Sequence, residues 1–181
     1  MTEGDPLLDR TAIENAFRHL GDGLARRGVV ADVYVFGGAA MALEYDARRA
    51  TRDIDAIFEP HGAVVEEAQR VALALGLPSW WLNEQASAYV APGGDPSARR
   101  VFDHAGLRVS AASPEHLLAM KVMAARRRDS DDIRVLVRHL QIDSIGDVLA
   151  VCERVLPDEA VPDRARLVLE DIFDGEGRTE A

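Results

Sequence analysis

The spacing of apolar residues predicts alternating helices and strands over the first half of the chain. Apolar positions recur at the 3.6-residue period of an amphipathic helix in two segments, 9–27 and 63–75, and the composition of 39–46 after two glycines predicts a short helix between them. Two short apolar runs have the composition of strands: 33–36 and 52–58. Strands separated by helices favour one sheet with helices packed against it over a two-sheet sandwich.

Residues near the ends of these predicted helices are of the types that begin and end helices. Thr11 and Glu14 have the spacing of a capping box, which predicts Thr11 as the cap of the first helix. Gly28 and Gly76 lie just beyond the first and third helices, where glycine is typical of a C-terminal cap.

The middle of the chain has shorter apolar runs. Residues 80–82 and 88–90 are candidate strand fragments, and the prolines and glycines of 92–96 predict a loop. Apolar residues at 101–102 and 107–109 flank the sequence Asp-His-Ala-Gly, which predicts a hairpin.

The last third of the chain has helical spacing almost throughout. Ser113 and Pro114 have the order of an N-cap followed by a first helical residue, and further helices are predicted at 131–140, 145–156 and 163–173. The sequence thus predicts an α/β (α+β) fold. Its parts are a small mixed-sheet core with flanking helices over 1–112, a C-terminal helical lobe packed on that core over 113–174, and a flexible tail over 175–181.

The composition is typical of a globular protein and excludes several other classes. No apolar run approaches the roughly 20 residues that cross a bilayer, and the acidic first ten residues lack the pattern of a signal peptide. The one cysteine, Cys152, excludes an intrachain disulfide framework. Valines at helical spacing around Cys152 predict a core position for it. We expect a cytoplasmic protein of bacterial type with no membrane partner.

The net charge of −10 disfavours general binding of nucleic acids. Phosphate backbones are bound through lysine and arginine, and the sequence pI is near 4.9. Three arginine runs, at 48–49, 99–100 and 126–128, are either local basic patches or solvated ends of helices and loops. The charge therefore favours a small nucleotide substrate over a long nucleic acid.

Two carboxylates two residues apart are the first candidate for chemistry. Side chains alternate faces along a strand, so Asp53 and Asp55 are expected on the same side. Paired like charges repel unless a cation lies between them, and Mg²⁺ is bound through one or two carboxylates plus substrate phosphates. Gly37 and Gly38, at the predicted start of a helix, provide backbone N–H groups for those phosphates. Each motif alone is equally typical of a turn or a surface strand; their combination predicts a metal and phosphate site.

Lys121 is the second candidate. It is the single polar residue in the segment 117–125 and shares its helix face with apolar side chains. A buried ammonium requires a carboxylate or a phosphate as partner; the alternative is that its stem packs while the amine reaches solvent. Asp129, Asp131 and Asp132 open the next predicted helix, where acids are favoured. That position predicts Asp129 as a cap and leaves Asp132 as either a cap or a partner of Lys121.

The order Gly-Gly, short helix, Arg-x-Thr-x-Asp-Ile-Asp over residues 33–58 resembles the signature of the nucleotidyltransferase fold, the superfamily of DNA polymerase beta. The chain is similar in particular to the bacterial AbiEii-like nucleotidyltransferases, several of which are toxins of toxin–antitoxin pairs. Those proteins carry a lysine in a helix followed by an Arg-Asp-x-x-Asp pattern, here at 128–132. The resemblance implies nucleotide binding by Gly37, Gly38, Arg49 and Thr51, binding of Mg²⁺ or Mn²⁺ by Asp53 and Asp55, and catalytic roles for Asp53, Asp55, Lys121 and Asp132.

The chain departs from the family pattern at two places. The glycine motif of the superfamily often ends in serine, and Gly38 occupies that place. Active members usually supply a third carboxylate from a later strand. Asp103 is the nearest candidate, although its context predicts a hairpin turn, and Glu84 is another. Trp80 and its neighbour Trp81 either stack a base or lie in the core.

Three functions follow as hypotheses. The first is a Mg²⁺-dependent transfer of a nucleoside monophosphate from a nucleoside triphosphate to a hydroxyl of a tRNA 3′ end or a protein, in an enzyme that acts as a toxin with a cognate antitoxin. The second is a nucleotidyltransferase-like module that binds nucleotide or protein without turnover, motivated by Gly38 and the third carboxylate. The third, a sugar-nucleotide glycosyltransferase with Asp-x-Asp as its metal clamp, leaves the glycine pair unexplained.

Overall fold

The computed structural model describes residues 6–45, 50–91 and 93–176. In those residues the protein has seven α-helices and one five-stranded mixed sheet, which confirms the predicted α+β class. The elements are α1 (Arg10–Arg26), β1 (Ala31–Val35), α2 (Gly37–Glu44), β2 (Ile54–Glu59), α3 (His61–Leu75), β3 (Leu82–Asn83), β4 (Arg99–His104), β5 (Leu107–Ala111), α4 (Pro114–Ala124), α5 (Ser130–His139), α6 (Ile145–Val155) and α7 (Asp163–Glu176). None of these helices is long and apolar enough to cross a membrane.

The chain divides into two compact units. The first contains the described residues up to Ala88 together with Ser97–Ala112, and therefore the whole sheet. The second contains Tyr89–Pro96 and the described residues from Ser113 onward, and therefore α4 to α7. A short segment that precedes β4 in the chain thus belongs with the helices.

The sheet of the first unit has the strand order β3-β2-β1-β5-β4. Strand β1 runs antiparallel to β2 and parallel to β5, β2 runs parallel to β3, and β4 and β5 form an antiparallel hairpin. Because β1 and β2 are antiparallel, the end of β1 lies beside the start of β2. The backbone N–H of Phe36 donates to the carbonyl of Asp55 at 3.0 Å, which brings Gly37, the first residue of α2, to Asp55 of β2.

Burial alternates along the strands as the period of two requires. In β1 the side chains of Ala31, Val33 and Val35 are buried, whereas Asp32 is exposed and Tyr34 is half-buried. Helix α1 packs on the buried face, where the rings of Phe17 and Phe102 have centroids 5.8 Å apart, and α3 packs beside α1. The opposite face of the sheet carries the alternate residues, among them Asp32, Tyr34 and Ile57.

Trp81 anchors the short strand β3. Its side chain is fully buried, and its indole N–H donates to the carbonyl of Ala68 in α3 at 2.9 Å. Its own carbonyl accepts from the N–H of Ile54 at 2.6 Å, so the core alternative is correct for this tryptophan. Trp80 remains 39% exposed.

Several predicted details were wrong. Helix α1 is capped by Asp9, whose Oδ1 accepts from the N–H of Ala12 at 2.8 Å, rather than by Thr11. The reason is that Leu8 pairs with Thr51 as an isolated bridge, which holds the backbone extended up to Asp9. Two of the three residues of the predicted strand fragment over 88–90 instead belong to a 3₁₀ turn, Ser87–Tyr89.

The predicted hairpin over 101–109 is confirmed, but its turn is shorter than expected. Strand β4 continues through Asp103 and His104, so only Ala105 and Gly106 connect it to β5. Asp103 therefore lies in a strand and not in the turn.

The second unit is a cluster of four helices with α4 packed against α5, α6 and α7. Helix α4 begins as predicted, with Pro114 in its first turn and Ser113 as its cap. The N–H of Ser113 donates to Oδ2 of Asp95 at 2.7 Å, and Nε2 of His116 lies 3.0 Å from the carbonyl oxygen of Gly94. These bonds attach the segment 89–96 to the start of α4. Cys152 is buried among the helices, as predicted.

Candidate functional site

Gly37 lies directly against the carboxylate of Asp55. Its φ of +64° is in the left-handed region that side chains with a Cβ rarely adopt. A Cβ added at this position would lie 3.1 Å from Oδ2 of Asp55. Glycine thus permits both the sharp entry from β1 into α2 and the close approach of an acidic side chain to the start of that helix.

Helix α2 presents its N-terminus at the same place. The first backbone N–H groups of a helix have no acceptor within the helix, and its dipole makes this end attractive to anions. The cap residue, Phe36, provides no side-chain acceptor for them. Residues 39–43 are all buried, so the helix is held firmly in the core. Gly38, its second residue, is half-buried.

Asp53 lies immediately before β2, in a turn that two contacts hold in place. The hydroxyl of Thr51 donates to the backbone carbonyl of Asp53 at 3.1 Å. Thr51 is itself paired with Leu8 through two backbone hydrogen bonds of 2.7 and 2.9 Å. The predicted nucleotide contact of Thr51 stays a prediction, and its observed role is to support the backbone of Asp53.

Asn83 is a residue of this site that the sequence reasoning missed. Its Nδ2 donates to Oδ2 of Asp53 at 2.9 Å, and its Cα is the register partner of Asp55 across the parallel pair β2–β3. Asn83 therefore neighbours both aspartates. The signal in the sequence was a polar residue directly after the apolar run at 80–82, but nothing in the spacing indicated which strand it would join.

The two candidates for a third carboxylate have other surroundings. Asp103 is exposed and its carboxylate lies 3.7 Å from the guanidinium of Arg100. The register of the sheet places Asp103 in line with Glu59. Glu59 is at the opposite end of β2 from Asp55, so Asp103 is far from that carboxylate. Glu84 lies 2.9 Å from Nε2 of His61. Within the described ranges, no three histidine, cysteine or acidic side chains are grouped so that they could hold a metal ion.

Lys121 forms a buried ionic cluster inside the second unit. Its Nζ donates to Oδ2 of Asp132 at 2.7 Å and to Oδ1 of Asp129 at 3.1 Å. Lys121 is 5% exposed, Asp129 7% and Asp132 3%, so the amine does not reach solvent. The partner of this buried ammonium is thus a pair of carboxylates.

The cluster corrects the interpretation of Asp129. Asp129 makes no side-chain cap bond at the start of α5, because its carboxylate is bonded to Lys121 instead. Asp131, by contrast, is exposed and pairs with Arg134 at 2.9 Å within its own helix. The catalytic roles predicted for Lys121 and Asp132 stay predictions, and Arg49 lies outside the described residues.

Comparison with known proteins identifies one family. A family model described as a nucleotidyltransferase of unknown function (DUF6036) matches residues 15–156. No curated protein and no solved structure matches the chain. The match supports the nucleotidyltransferase superfamily, while the AbiEii-like assignment within it stays a prediction.

Proposed function

The chain belongs to this nucleotidyltransferase family, and from that premise we propose that it transfers a nucleoside monophosphate from a nucleoside triphosphate to a hydroxyl group with the help of Mg²⁺. One observation carries the proposal. The carboxylate of Asp55 lies against Gly37 at the N-terminus of α2. Asp53, two residues earlier in the chain, accepts a hydrogen bond from the side chain of Asn83. The carboxylate of Asp55 and an anion-attracting helix end therefore lie side by side.

The residues present fit a hard divalent cation. Mg²⁺ prefers carboxylate oxygens and binds through one or two of them together with substrate phosphates, so Asp53 and Asp55 would hold it. The missing Cβ at Gly37 leaves room beside Oδ2 of Asp55. When bound, the ion neutralises negative charge on the triphosphate and on the departing pyrophosphate. Mn²⁺ has the same ligand preference and is an alternative.

The remaining groups bind and orient the substrate. Backbone N–H groups at the start of α2 would hold phosphate oxygens, with Gly37 and Gly38 allowing close approach, and Arg49 and Thr51 are proposed to contact the nucleotide. The acceptor oxygen forms a bond to the α-phosphorus while the bond to the bridging oxygen of the β-phosphate breaks. Pyrophosphate leaves with the electron pair, and the hydroxyl proton passes to solvent. Positioning and electrostatic stabilisation supply most of the catalysis in such transfers.

The second unit contributes two further candidates. We assign Lys121 and Asp132 to catalysis on the family resemblance alone, Lys121 as a compensating charge for phosphate and Asp132 as its partner. Their mutual bond of 2.7 Å fits that pairing and also a structural role, so a Lys121 variant must be measured for stability as well as for nucleotide transfer.

The test is transfer of labelled nucleotide. The protein is incubated with Mg²⁺, each α-labelled nucleoside triphosphate in turn and total bacterial RNA, and the products are separated on a denaturing gel. Label in a tRNA-sized band identifies a tRNA acceptor, and label on a protein identifies a protein hydroxyl. The Asp53→Asn/Asp55→Asn double variant should lose the label, whereas Asp103→Asn, an exposed acid of β4, should keep it. Labelling that persists in the double variant excludes the assignment.

A toxin role is part of the same proposal and has its own test. Expression of the wild-type chain in a bacterial host should arrest growth, and the Asp53→Asn/Asp55→Asn variant should not. A cognate antitoxin, if encoded beside this chain, should restore growth when it is co-expressed. Normal growth with active transfer in vitro would remove the toxin role and leave the enzyme.

A non-catalytic module is the second candidate function. It is favoured by the surroundings of Asp103 and Glu84, the two predicted sources of a third carboxylate, which lie beside Arg100 and His61 respectively. Two-metal activation of a nucleophile is weakened without a third acid. This candidate predicts nucleotide binding without release of pyrophosphate for any acceptor.

A further inference from the structure

The side chain of Asn83 is held by three hydrogen bonds. Its Nδ2 donates to Oδ2 of Asp53 at 2.9 Å and to the carbonyl of Trp80 at 3.2 Å, while its Oδ1 accepts from the N–H of Gln85 at 3.0 Å. An asparagine side chain has two N–H donors and one acceptor oxygen, so both donors are engaged and the orientation of the amide is fixed. The neighbouring Trp81 is fully buried, which makes this segment a firm support.

The chemistry of the amide suits a carboxylate that must remain charged. A lysine or arginine at this place would also hold Asp53, but its positive charge would cancel the attraction for a metal ion. A neutral N–H group fixes one oxygen of the carboxylate and leaves the negative charge in place. Carboxylates that bind metals are commonly held in this way by a second group that does not touch the ion.

We infer that Asn83 is a positioning residue, which orients the carboxylate of Asp53 for binding of the divalent cation. This inference rests on the proposed function, because it assigns Asp53 as a metal ligand. Asn83 is also the register partner of Asp55 across the pair β2–β3. The bonds to Trp80 and Gln85 hold Asn83, and the bond to Asp53 is the one with a functional purpose.

The test is Mn²⁺ affinity, measured on the full chain by isothermal titration calorimetry and by the loss of the free Mn²⁺ signal in electron paramagnetic resonance. Asn83→Ala removes all three bonds. Asn83→Asp has nearly the same shape and keeps the acceptor for Gln85 but cannot donate to Asp53 when it is ionised. Glu84→Gln is the matched control, since it alters the adjacent residue, whose partner is His61. Thermal unfolding of each variant shows whether it is folded.

Both Asn83 variants should bind Mn²⁺ at least 10-fold more weakly than wild type, the usual loss when a group that supports a metal ligand is removed, and Glu84→Gln should bind as wild type does. Wild-type affinity in folded Asn83→Ala overturns the positioning role and leaves the proposed function intact. Tighter binding in Asn83→Asp also overturns it, because residue 83 would then touch the ion itself. Equal, negligible Mn²⁺ binding in wild type and in Asp53→Asn/Asp55→Asn overturns the metal site and this inference together.

Discussion

Nζ of Lys121 and Oδ2 of Asp132 are 2.7 Å apart, and both side chains are almost wholly removed from solvent. Asp129 completes the cluster from 3.1 Å. Deletion of one partner in a buried ionic cluster leaves the others desolvated without compensation, which costs far more than the loss of a surface pair.

Replacement of Lys121 by methionine should therefore lower the free energy of unfolding by about 3–5 kcal/mol, measured by urea denaturation. Arg134→Met is the control, because Arg134 pairs with Asp131 on the exposed side of α5 at a similar distance, and its loss should cost no more than about 0.5 kcal/mol. Equal, small effects in the two variants would contradict the role of burial. If Lys121→Met keeps its stability but loses nucleotide transfer, Lys121 acts in catalysis.

Substitution of Gly37 by alanine should impair metal binding as well as stability. The new Cβ would lie 3.1 Å from Oδ2 of Asp55 and would push that carboxylate away. Gly28→Ala is a matched control, because Gly28 has a φ of +67° and nothing within 4 Å of the added Cβ. Both variants should lose about 1–2 kcal/mol of stability from the left-handed backbone, but only Gly37→Ala should also bind Mn²⁺ more weakly in calorimetry. Equal Mn²⁺ affinity in both would show that the contact with Asp55 is unimportant.

Cys152 should make the stability fall at alkaline pH. Burial raises the pKa of its thiol from 9.0 to about 11, so the unfolded chain releases this proton at a lower pH than the folded one. The contribution of the buried neutral thiol to the free energy of unfolding is complete below about pH 9. It decreases between about pH 9 and 11, by at most about 1.4 kcal/mol per pH unit. Urea denaturation across this range should show a smaller decrease for Cys152→Ala than for wild type. Parallel pH profiles would contradict the raised pKa.

Asp95 should stabilise the start of α4. It accepts from the N–H of Ser113 at 2.7 Å, and its other oxygen lies 3.3 Å from Nδ1 of His116. Asp95→Ala leaves a buried N–H without this acceptor and should cost about 1–3 kcal/mol. Asp147→Ala, at the exposed start of α6, is the control and should cost about 0.5 kcal/mol. Hydrogen exchange should be faster in the first turn of α4 in the Asp95 variant alone; unchanged exchange there would contradict the contact.

Elements with a clear period were predictable from the sequence. The apolar spacing of α1, α3 and the helices α5 to α7 reflects which side of each faces a core, so local pattern and tertiary packing agree. The contact of Gly37 with Asp55 depends on the antiparallel pairing of β1 with β2, which the sequence pattern did not predict.

Details that depend on distant contacts were not predictable. Asp9 rather than Thr11 caps α1 because a bridge from Thr51, far along the chain, sets where the extended segment ends. Asp129 is withdrawn from capping by Lys121. Asn83 contacts Asp53 because β3 pairs in parallel with β2. A strand of two residues is too short to show an alternating pattern in the sequence, so this pairing could not be predicted.

The burial of Lys121 has a chemical consequence for the whole chain. The sequence contains twenty arginines and this one lysine, whose amine lies bonded between two acids and 5% exposed. The folded surface therefore presents no lysine amine to acylating reagents or to enzymes that modify lysine. An amide formed at Lys121 records that the second unit has opened, so acylation at this one side chain is a selective reporter of that event.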